Sequence, residues 1–263
     1  MSRRALVAKT YKLYLGGAFV RSESGRSDAV GGVNVPRGSR KDVRDAVKAA
    51  RAAQAGWARK TAYNRGQVLY RFAEALESRG WGEDEAVDLL VHYAGWTDKL
   101  AAVLGSTNPV AGPYFGFSVP EPTGVVAVLA PQRSSLLGLV SVLGPVLAAG
   151  NTAVVVTSHD RPLPAVTLGE VLATSDVPGG VVNLLTGDAA ELGPWLAEHA
   201  DVDAIDLAGA PAPLAMELER SAAGTIKRVL RAPAEEPDWT GDPGLSRLRP
   251  FLETKSVWHP IGV

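Results

Sequence analysis

The chain has 263 residues, of which 46% are hydrophobic and 21% charged, a balance typical of a soluble globular protein. Its net charge of −1 argues against nucleic-acid or anionic-membrane binding driven by bulk charge. It contains no cysteine, which excludes disulfides, zinc–thiolate sites and thiol catalysis together. This composition suits a cytoplasmic protein, and the cytoplasm is the location that we expect.

The first third of the chain predicts a β-hairpin followed by helices. Residues 11–20 form two apolar runs that meet at Gly16-Gly17, a pattern typical of a hairpin. Ser39 is the predicted N-cap of a first helix, because a serine side chain accepts hydrogen bonds from free backbone N–H groups. Apolar residues at helical spacing then predict a second helix over about 61–80 and a third over about 83–104.

From Gly124 onward, short apolar runs alternate with helical segments. The predicted strands are 125–130, 152–157, 181–186, 202–207 and 225–230. The predicted helices lie near 135–149, 163–174, 188–199 and 211–222. Apolar strands separated by helices indicate parallel βαβ units covered on both faces. Right-handed crossovers then predict an α/β fold with a doubly wound, Rossmann-like parallel sheet and an N-terminal helical layer.

Three stretches lie outside these units. Residues 105–122 are rich in glycine and proline, which excludes a regular helix. Residues 232–250 also contain many turn-forming residues and are predicted to be a loop or linker. Residues 251–258 alternate in polarity, as an exposed edge strand does.

One charge-free stretch requires a test for membrane insertion. No charged residue lies between Arg133 and His159, a length that could cross a bilayer. Gly138, Gly144 and Gly150 interrupt this stretch, and its spacing changes from helix-like to strand-like. We therefore predict a buried helix, a turn and a buried strand, with no membrane span.

Several segments carry a family resemblance. The residues Pro145 to Val156 (PVLAAGNTAVVV), together with Pro178 to Gly187 (PGGVVNLLTG), resemble the cofactor-domain signature of aldehyde dehydrogenases. The run Tyr93 to Lys99 (YAGWTDK) is similar to the signature of the family's third helix. The order and spacing of these segments agree with the family across most of residues 11–231. The end of the chain also resembles the non-catalytic second half of tandem aldehyde dehydrogenases.

The resemblance implies a chemistry that this chain lacks. Members of the family attack the carbonyl with a cysteine thiolate, and no cysteine is present. The family's oxyanion-binding Asn is matched by Arg133, and its turn beside the nicotinamide by residues 207–210, which lack both hydroxyls. The family's general-base Glu has no counterpart in register after Leu230. We therefore expect no catalytic residue and no activity of the chain alone.

The resemblance also predicts a degenerate cofactor site. The family's ribose-binding Lys and Glu are matched by Thr157 and Asp160. Counterparts of the other cofactor contacts are Ala130, Pro131, Gly187 and Gly209. Either NAD(P) is still bound here, or the segment keeps a packed Rossmann-like fold without a working pocket. We favour the second reading, in which no cofactor is required.

The resemblance divides the chain into five predicted parts. These are an N-terminal hairpin with helices (1–112), an arm segment (113–123), Rossmann-like βα units (124–231), a linker in place of the catalytic domain (232–250) and a C-terminal arm strand (251–263). The family's arm joins subunits by strand pairing, so the resemblance implies a β oligomerisation arm. Its predicted interface residues are Tyr114, Phe115, Phe117, Leu252, Val257 and Trp258.

Two functions follow as alternatives. The favoured one is a non-catalytic subunit, structural or regulatory, that assembles with itself or with a full-length aldehyde dehydrogenase. The alternative is an NAD(P)-dependent aldehyde oxidoreductase component that is active only in complex with a catalytic subunit.

The four histidines have no ligand-like spacing, so no metal site is predicted.

Overall fold

The computed structural model describes residues 7–80, 84–134 and 136–262. The helices in these ranges are α1 (Arg40–Ala58), α2 (Ala62–Glu77), α3 (Asp84–Trp96), α4 (Leu100–Leu104), α5 (Leu136–Ala148), α6 (Leu163–Leu172), α7 (Ala189–Glu198) and α8 (Ala212–Ala223). The strands are β1 (Leu13–Leu15), β2 (Ala18–Val20), β3 (Ser27–Val30), β4 (Val33–Pro36), β5 (Ser106–Asn108), β6 (Tyr114–Pro122), β7 (Val125–Leu129), β8 (Thr152–Val156), β9 (Val182–Leu185), β10 (Ala204–Asp206), β11 (Arg228–Leu230) and β12 (Leu252–Pro260).

A seven-stranded sheet forms the centre of the molecule, in the order β11-β10-β7-β8-β9-β1-β2. The strands from β7 to β11 pair in parallel, and the β1–β2 hairpin extends the sheet antiparallel to β9. Every residue of β7, β8 and β9 is buried, because helices cover both faces. The predicted α/β fold with a parallel-rich sheet is thus confirmed.

The two faces of the sheet belong to two hydrophobic clusters. Val125, Ala127 and Leu129 pack with buried residues of α1, α7 and α8. Val126 and Val128, which point to the other face, pack with residues of α2, α3, α5 and α6. The N-terminal helices are therefore shared between the two faces, with α1 on one and α2 and α3 on the other.

Local signals explain where the N-terminal helices begin and end. The Ser39 hydroxyl accepts a hydrogen bond from the Asp42 N–H, and the Asp42 carboxylate accepts one from the Ser39 N–H, which forms a capping box. The predicted single third helix is wrong, since α3 ends at Trp96 and α4 begins at Leu100. The Thr97 hydroxyl donates to the Ala94 carbonyl at 2.9 Å, within the last turn of α3. Glu83, the predicted first residue, lies outside the described residues.

A separate three-stranded antiparallel sheet, β12-β6-β5, forms what we call the arm. Strands β6 and β12 pair along their whole length, from Leu252 opposite Pro122 to Pro260 opposite Tyr114. The tail is therefore a strand at the edge of this sheet, as its alternation predicts, and residues 105–122 contain no helix. The short strand β5 was not expected there, and neither was the β3–β4 hairpin.

The base of the arm is joined to the central sheet through a buried amide. Asn151 is fully buried just before β8. Its Nδ2 donates to the Phe251 carbonyl at 2.9 Å, and its Oδ1 accepts from the Gly124 N–H at 2.7 Å. One side chain thus bonds the chain just after β6 and just before β12, at the base of the arm.

The end of the parallel sheet departs from the prediction in two places. The strand expected over 225–230 begins at Arg228, because Ile226 follows α8 with a left-handed φ of 56°. The predicted linker (232–250) ends in a 3-10 turn at Arg249–Phe251 that leads into β12, while residues 232–248 form no helix or strand. No described helix is both long enough and apolar enough to span a bilayer.

Candidate functional site

The parallel strands end in loops at one edge of the sheet, which we call the carboxyl edge. From β7 the chain proceeds outward to β8 and β9, whereas from β10 it proceeds the other way to β11. The reversal lies between β7 and β10, and ligands of open α/β sheets bind in the crevice at such a point. The loops after β7 and β10 therefore form the candidate site.

Two predicted cofactor residues meet directly in this crevice. The Gly209 N–H donates to the Leu129 carbonyl at 2.8 Å, which brings the loop after β10 against Ala130. A Cβ atom on Gly209 would lie 1.8 Å from the Ala130 carbonyl oxygen, so only glycine fits there. The backbones at the crevice are thus in contact.

The other predicted cofactor residues lie along the same edge, yet they do not converge. Pro131 is buried next to Ala130, and Thr157 is buried at the end of β8. The Thr157 hydroxyl has no hydrogen-bond partner within the described ranges. Asp160 is exposed, while Gly187 packs against the backbone of Gly38. The structure therefore brings Ala130 and Gly209 together and leaves Asp160 apart in solvent.

The glutamine after Pro131 ties two of these loops to each other. The Gln132 amide nitrogen donates to the Ala130 carbonyl at 2.7 Å, and its amide oxygen accepts from the His159 N–H at 2.8 Å. Its backbone carbonyl accepts from the Ser158 hydroxyl at 3.0 Å. The loop after β7 is thus fastened to the loop after β8. The sequence offered no signal for this role.

A carboxylate from the linker binds the loop between β7 and α5. Glu236 Oε1 accepts from the Ser134 N–H at 2.7 Å, and Glu236 Oε2 accepts from the Arg133 N–H at 3.0 Å. The Trp239 indole N–H also donates to Oε1, at 3.3 Å. Free N–H groups at a helix N-terminus attract anions, including the phosphates of nucleotides. Here the Glu236 carboxylate is an anion bound by two loop N–H groups just before α5.

The environment keeps Glu236 ionised. Burial of the carboxyl group is the largest single effect and favours its neutral form, but the hydrogen bonds from the Arg133 and Ser134 N–H groups oppose it. Hydrogen bonding from Trp239 and the charge of Arg133 act in the same direction. The pKa of Glu236 therefore lies below its ordinary value.

Arg133 does not replace an oxyanion-binding asparagine. Its side chain is 74% exposed, and its guanidinium donates to the Glu236 carbonyl at 3.3 Å. An oxyanion donor must be held within hydrogen-bond reach of the developing charge. The Arg133 guanidinium instead helps to hold the linker.

A buried ion pair lies at the end of β10. Asp206 is fully buried, where it accepts from the Ala208 N–H at 3.0 Å and pairs with the linker residue Arg247. Burial raises the pKa of Asp206, and the Arg247 charge opposes that rise.

The residues of the crevice do not fit a dinucleotide. A pyrophosphate placed near the start of α5 would meet the Glu236 carboxylate, which already binds the Arg133 and Ser134 N–H groups of the loop before that helix. The position expected to supply a ribose-binding cation holds Thr157, which is neutral and buried.

Within residues 7–80, 84–134 and 136–262, no cluster of His, Asp or Glu is placed to hold a metal ion.

The predicted interface residues differ in how far the arm exposes their side chains to solvent. Trp258 is 65% exposed, Phe115 48% and Tyr114 42%, while Phe117 and Val257 are half-buried. Leu252 packs in the chain's own core with Leu248 and Phe251, because β12 begins inside the body. Little of the Leu252 side chain is therefore left for a partner.

The sheet order, the strand reversal and the loops at its carboxyl edge define a doubly wound α/β domain of the dinucleotide-binding class. Comparison with known proteins gives a more specific assignment. The aldehyde dehydrogenase family profile matches residues 27–232. The chain therefore belongs to the aldehyde dehydrogenase family.

Individual relatives agree with this assignment. The chain is 34% identical over 227 residues to aldehyde dehydrogenase family 2 member B4, mitochondrial, from Arabidopsis thaliana, across 75% of this chain and 42% of the relative. It is 30% identical over 247 residues to the mitochondrial benzaldehyde dehydrogenase of Antirrhinum majus, across 83% and 46%. The structure of an aldehyde dehydrogenase from Bacillus cereus in complex with NAD⁺ superposes with a TM-score of 0.77 at 26% identity, across 84% of this chain and 50% of that chain. The chain thus spans about half the length of the relatives it matches.

Proposed function

We propose that this chain is a non-catalytic aldehyde dehydrogenase relative that works as a structural or regulatory subunit. It assembles through the arm with a second copy of itself or with a full-length aldehyde dehydrogenase, in the cytoplasm. The observation that carries this proposal is the arm sheet, whose long edge strand β12 has no strand partner on its outer side among the described residues.

The arm exposes apolar side chains on both of its faces. Successive residues of a strand point to opposite faces, so Tyr114 and its neighbour Phe115 lie on different sides. Trp258 shares the face of Tyr114, with ring centroids 6.1 Å apart. Phe115 shares the other face with Phe117, with centroids 5.6 Å apart. Apolar surface on two faces of an edge-bearing sheet is typical of a protein–protein interface.

The absence of catalytic groups supports a non-catalytic role. The family's reaction needs a thiolate nucleophile, and the chain has no cysteine. Strand β11 leads through residues 231–251 straight to β12, so no catalytic domain lies between these two strands. The contacts of Glu236 and Gln132 at the carboxyl edge support the further proposal that no NAD(P) is required.

The experiment that tests assembly is light scattering after size-exclusion chromatography. We expect the purified chain to elute as an oligomer, or to co-elute with a full-length aldehyde dehydrogenase from the same host. Trp258→Lys should dissociate either complex, because a charge at the centre of an apolar interface is left desolvated. The matched control is Tyr63→Lys, a 70% exposed aromatic position on α2 that should leave assembly unchanged. A chain that elutes as a monomer and does not co-elute with the full-length enzyme would contradict the proposal.

The alternative, an oxidoreductase component active only in a complex, rests on the solved relatives that bind NAD⁺. Isothermal titration of the pure chain with NAD⁺ and NADP⁺ separates the two functions. We expect no heat of binding. Binding of either nucleotide, together with nicotinamide reduction in the presence of a partner subunit, would favour the alternative.

A further inference from the structure

A cavity of about 390 Å³ opens between the β1–β2 hairpin and the β3–β4 hairpin. Its walls come from the residues just before β1, the loop between β2 and β3, and the end of β4. In the order of the central sheet, β8 and β9 separate β1 and β2 from the crevice between β7 and β10. The cavity is therefore distinct from the candidate cofactor site.

Two cations of the cavity lining have no partner within the described part of the chain. The side chains of Lys12 and Arg21 are exposed, and neither forms a hydrogen bond or an ion pair there. They lie one position beyond the paired residues Leu13 and Val20, so the hairpin register places them opposite each other. Like charges at opposite positions destabilise a hairpin. An anion bound between the two side chains would remove that repulsion.

The glutamates around the cavity already have partners. Glu191 pairs with Arg26, which is the third cation of the lining, and with Arg37 at 3.0 Å. Glu23 pairs with Lys41 at the start of α1. Neither carboxylate is therefore left to neutralise the two unpaired cations.

The nearby aspartates are not part of the cavity surface. Ser27 lines the cavity, whereas its neighbour Asp28 lies opposite the buried Val35. Because neighbouring residues of a strand point to opposite faces, Asp28 faces away from the cavity. Asp42 is buried, where it accepts hydrogen bonds from the Ser22 hydroxyl and from the cap of α1. The described lining residues thus include cations and hydroxyl groups but no carboxylate.

Hydroxyl groups and apolar surface complete the lining. Thr10 Oγ1 accepts a hydrogen bond from Asn34 Nδ2 at 3.2 Å, which leaves the threonine proton available to a ligand. Ser27 is exposed and can donate as well. Tyr11 and Pro36 add apolar surface, and the Tyr11 N–H donates to the Asn34 carbonyl at 2.8 Å, which holds this wall against β4. Lysine, arginine and hydroxyl donors together suit the oxygens of a phosphate group.

We propose that this cavity binds a soluble phosphate monoester. Its phosphate group accepts hydrogen bonds from Lys12 Nζ and from the Arg21 guanidinium, and its organic part contacts Tyr11 and Pro36. A monoester fits better than a diester because its phosphate carries close to two negative charges at neutral pH, which match the two unpaired cations. Binding is non-covalent, and it does not depend on assembly through the arm.

The first test compares phenyl phosphate with methyl phenyl phosphate, which keeps the ring but has one negative charge less. Saturation-transfer NMR on the full chain, at a fixed ionic strength, gives a dissociation constant for each compound. We expect phenyl phosphate to bind, inorganic phosphate to displace it, and methyl phenyl phosphate to bind about tenfold more weakly. Equal binding of the two esters, or no binding of phenyl phosphate at millimolar concentration, would overturn the proposal.

Lipids are a second source of phosphate monoesters. Sedimentation of the full chain with phosphatidylcholine vesicles that contain phosphatidic acid separates this source from a soluble ligand. We expect no co-sedimentation, because the cations line a recess between two hairpins. Co-sedimentation that Arg21→Gln abolishes, without binding of phenyl phosphate, would show that the ligand is a lipid and that the proposal is wrong.

NADP⁺ also carries a phosphate monoester, at its 2′ position, so the nucleotide titration described above is repeated with Arg21→Gln. Heat from NADP⁺ that this substitution removes belongs to the cavity between the hairpins and supports the present proposal. Heat that persists belongs to the carboxyl edge and counts against the proposed loss of cofactor binding. The failure of one proposal is thus distinguishable from the failure of the other.

Substitutions of the two cations locate the site. Lys12→Gln and Arg21→Gln should each weaken the binding of phenyl phosphate about fivefold. The fold should persist, since neither exposed side chain has a partner to lose among the described residues. Lys48→Gln and Arg59→Gln make the same changes at exposed positions on α1 and at its C-cap, and they should leave the dissociation constant unchanged. If Lys12→Gln binds phenyl phosphate as tightly as Lys48→Gln, the cation pair holds only solvent and the assignment is wrong.

Discussion

At the carboxyl edge of the parallel sheet, the loops form hydrogen bonds with one another and with the linker. The arm, in contrast, leaves a strand edge and aromatic rings exposed to solvent. In the crevice, Gln132 and Glu236 occupy backbone groups that a ligand could have used. At the arm, Trp258 and Phe115 remain largely exposed. The two regions therefore differ in how far the chain itself satisfies their polar groups and covers their apolar surface.

The largest expected effect comes from the ion pair beneath the crevice. Arg247→Ala should lower the free energy of unfolding by about 3–5 kcal/mol near neutral pH, because it leaves the Asp206 charge buried and unpaired. The loss should shrink as pH falls, since Asp206 then takes up a proton. Urea unfolding measures both effects. Arg249→Ala, at an exposed position two residues along, is the control, and an equal loss in both variants would contradict this account.

The next effect tests the closed backbone of the crevice. Gly209→Ala should destabilise the chain by about 1–3 kcal/mol, because its Cβ would overlap the Ala130 carbonyl oxygen. Gly241→Ala, where a new Cβ meets no atom closer than 3.8 Å, should have little effect on stability. Thermal unfolding of the two variants provides the comparison. If Gly209→Ala unfolds like the unmodified chain, the two loops are not in contact.

A smaller and pH-dependent effect is expected at the linker carboxylate. Glu236→Gln should cost about 1–2 kcal/mol at neutral pH, since it removes the charge from two backbone hydrogen bonds. The folded-state pKa of Glu236 is lowered, so its contribution is complete above the ordinary value of 4.5 and disappears as pH falls through the folded-state pKa. Urea unfolding at neutral pH and well below pH 4.5 tests this. The exposed neighbour variant Glu235→Gln should show no pH-dependent difference from the unmodified chain.

The smallest effect on stability belongs to the arm. Trp258→Ser should change the free energy of unfolding of a single chain by less than about 0.5 kcal/mol, because the ring is mostly exposed. The same substitution should nevertheless reduce assembly. Dilute-solution unfolding and light scattering on one preparation separate these two effects. A large loss of single-chain stability would mean that the ring packs within its own chain.

The sequence predicted those features of the fold that depend on local patterns. Ser39 caps α1 as predicted, and the apolar runs beginning at Val125 and Thr152 form the expected parallel strands. The break after Trp96 was not predicted, because the apolar spacing continues through it. The short strand β5 was missed for a related reason, since it depends on pairing with β6 rather than on any pattern of its own.

The candidate site was harder to predict than the fold. Glycine at 209 and the aromatic residues of the arm were identified from the resemblance, and the structure places them at the crevice and on the arm. Glu236 and Arg247 were missed, although each binds a residue at the carboxyl edge. Both lie in a segment without periodicity, and their partners are far away in the sequence. Such contacts depend on the path of the linker in three dimensions, which residue patterns do not specify.

The amide of Asn151 has a consequence for the geometry of any complex. By bonding Gly124 and Phe251 at once, it joins the chain just after β6 and the chain just before β12 to the start of β8 in the central sheet. Rotation of the arm against the central sheet would break these two buried hydrogen bonds, which favours one angle of the arm within a single chain. A partner that docks on its tip would have its orientation dictated by a side chain buried far from the contact.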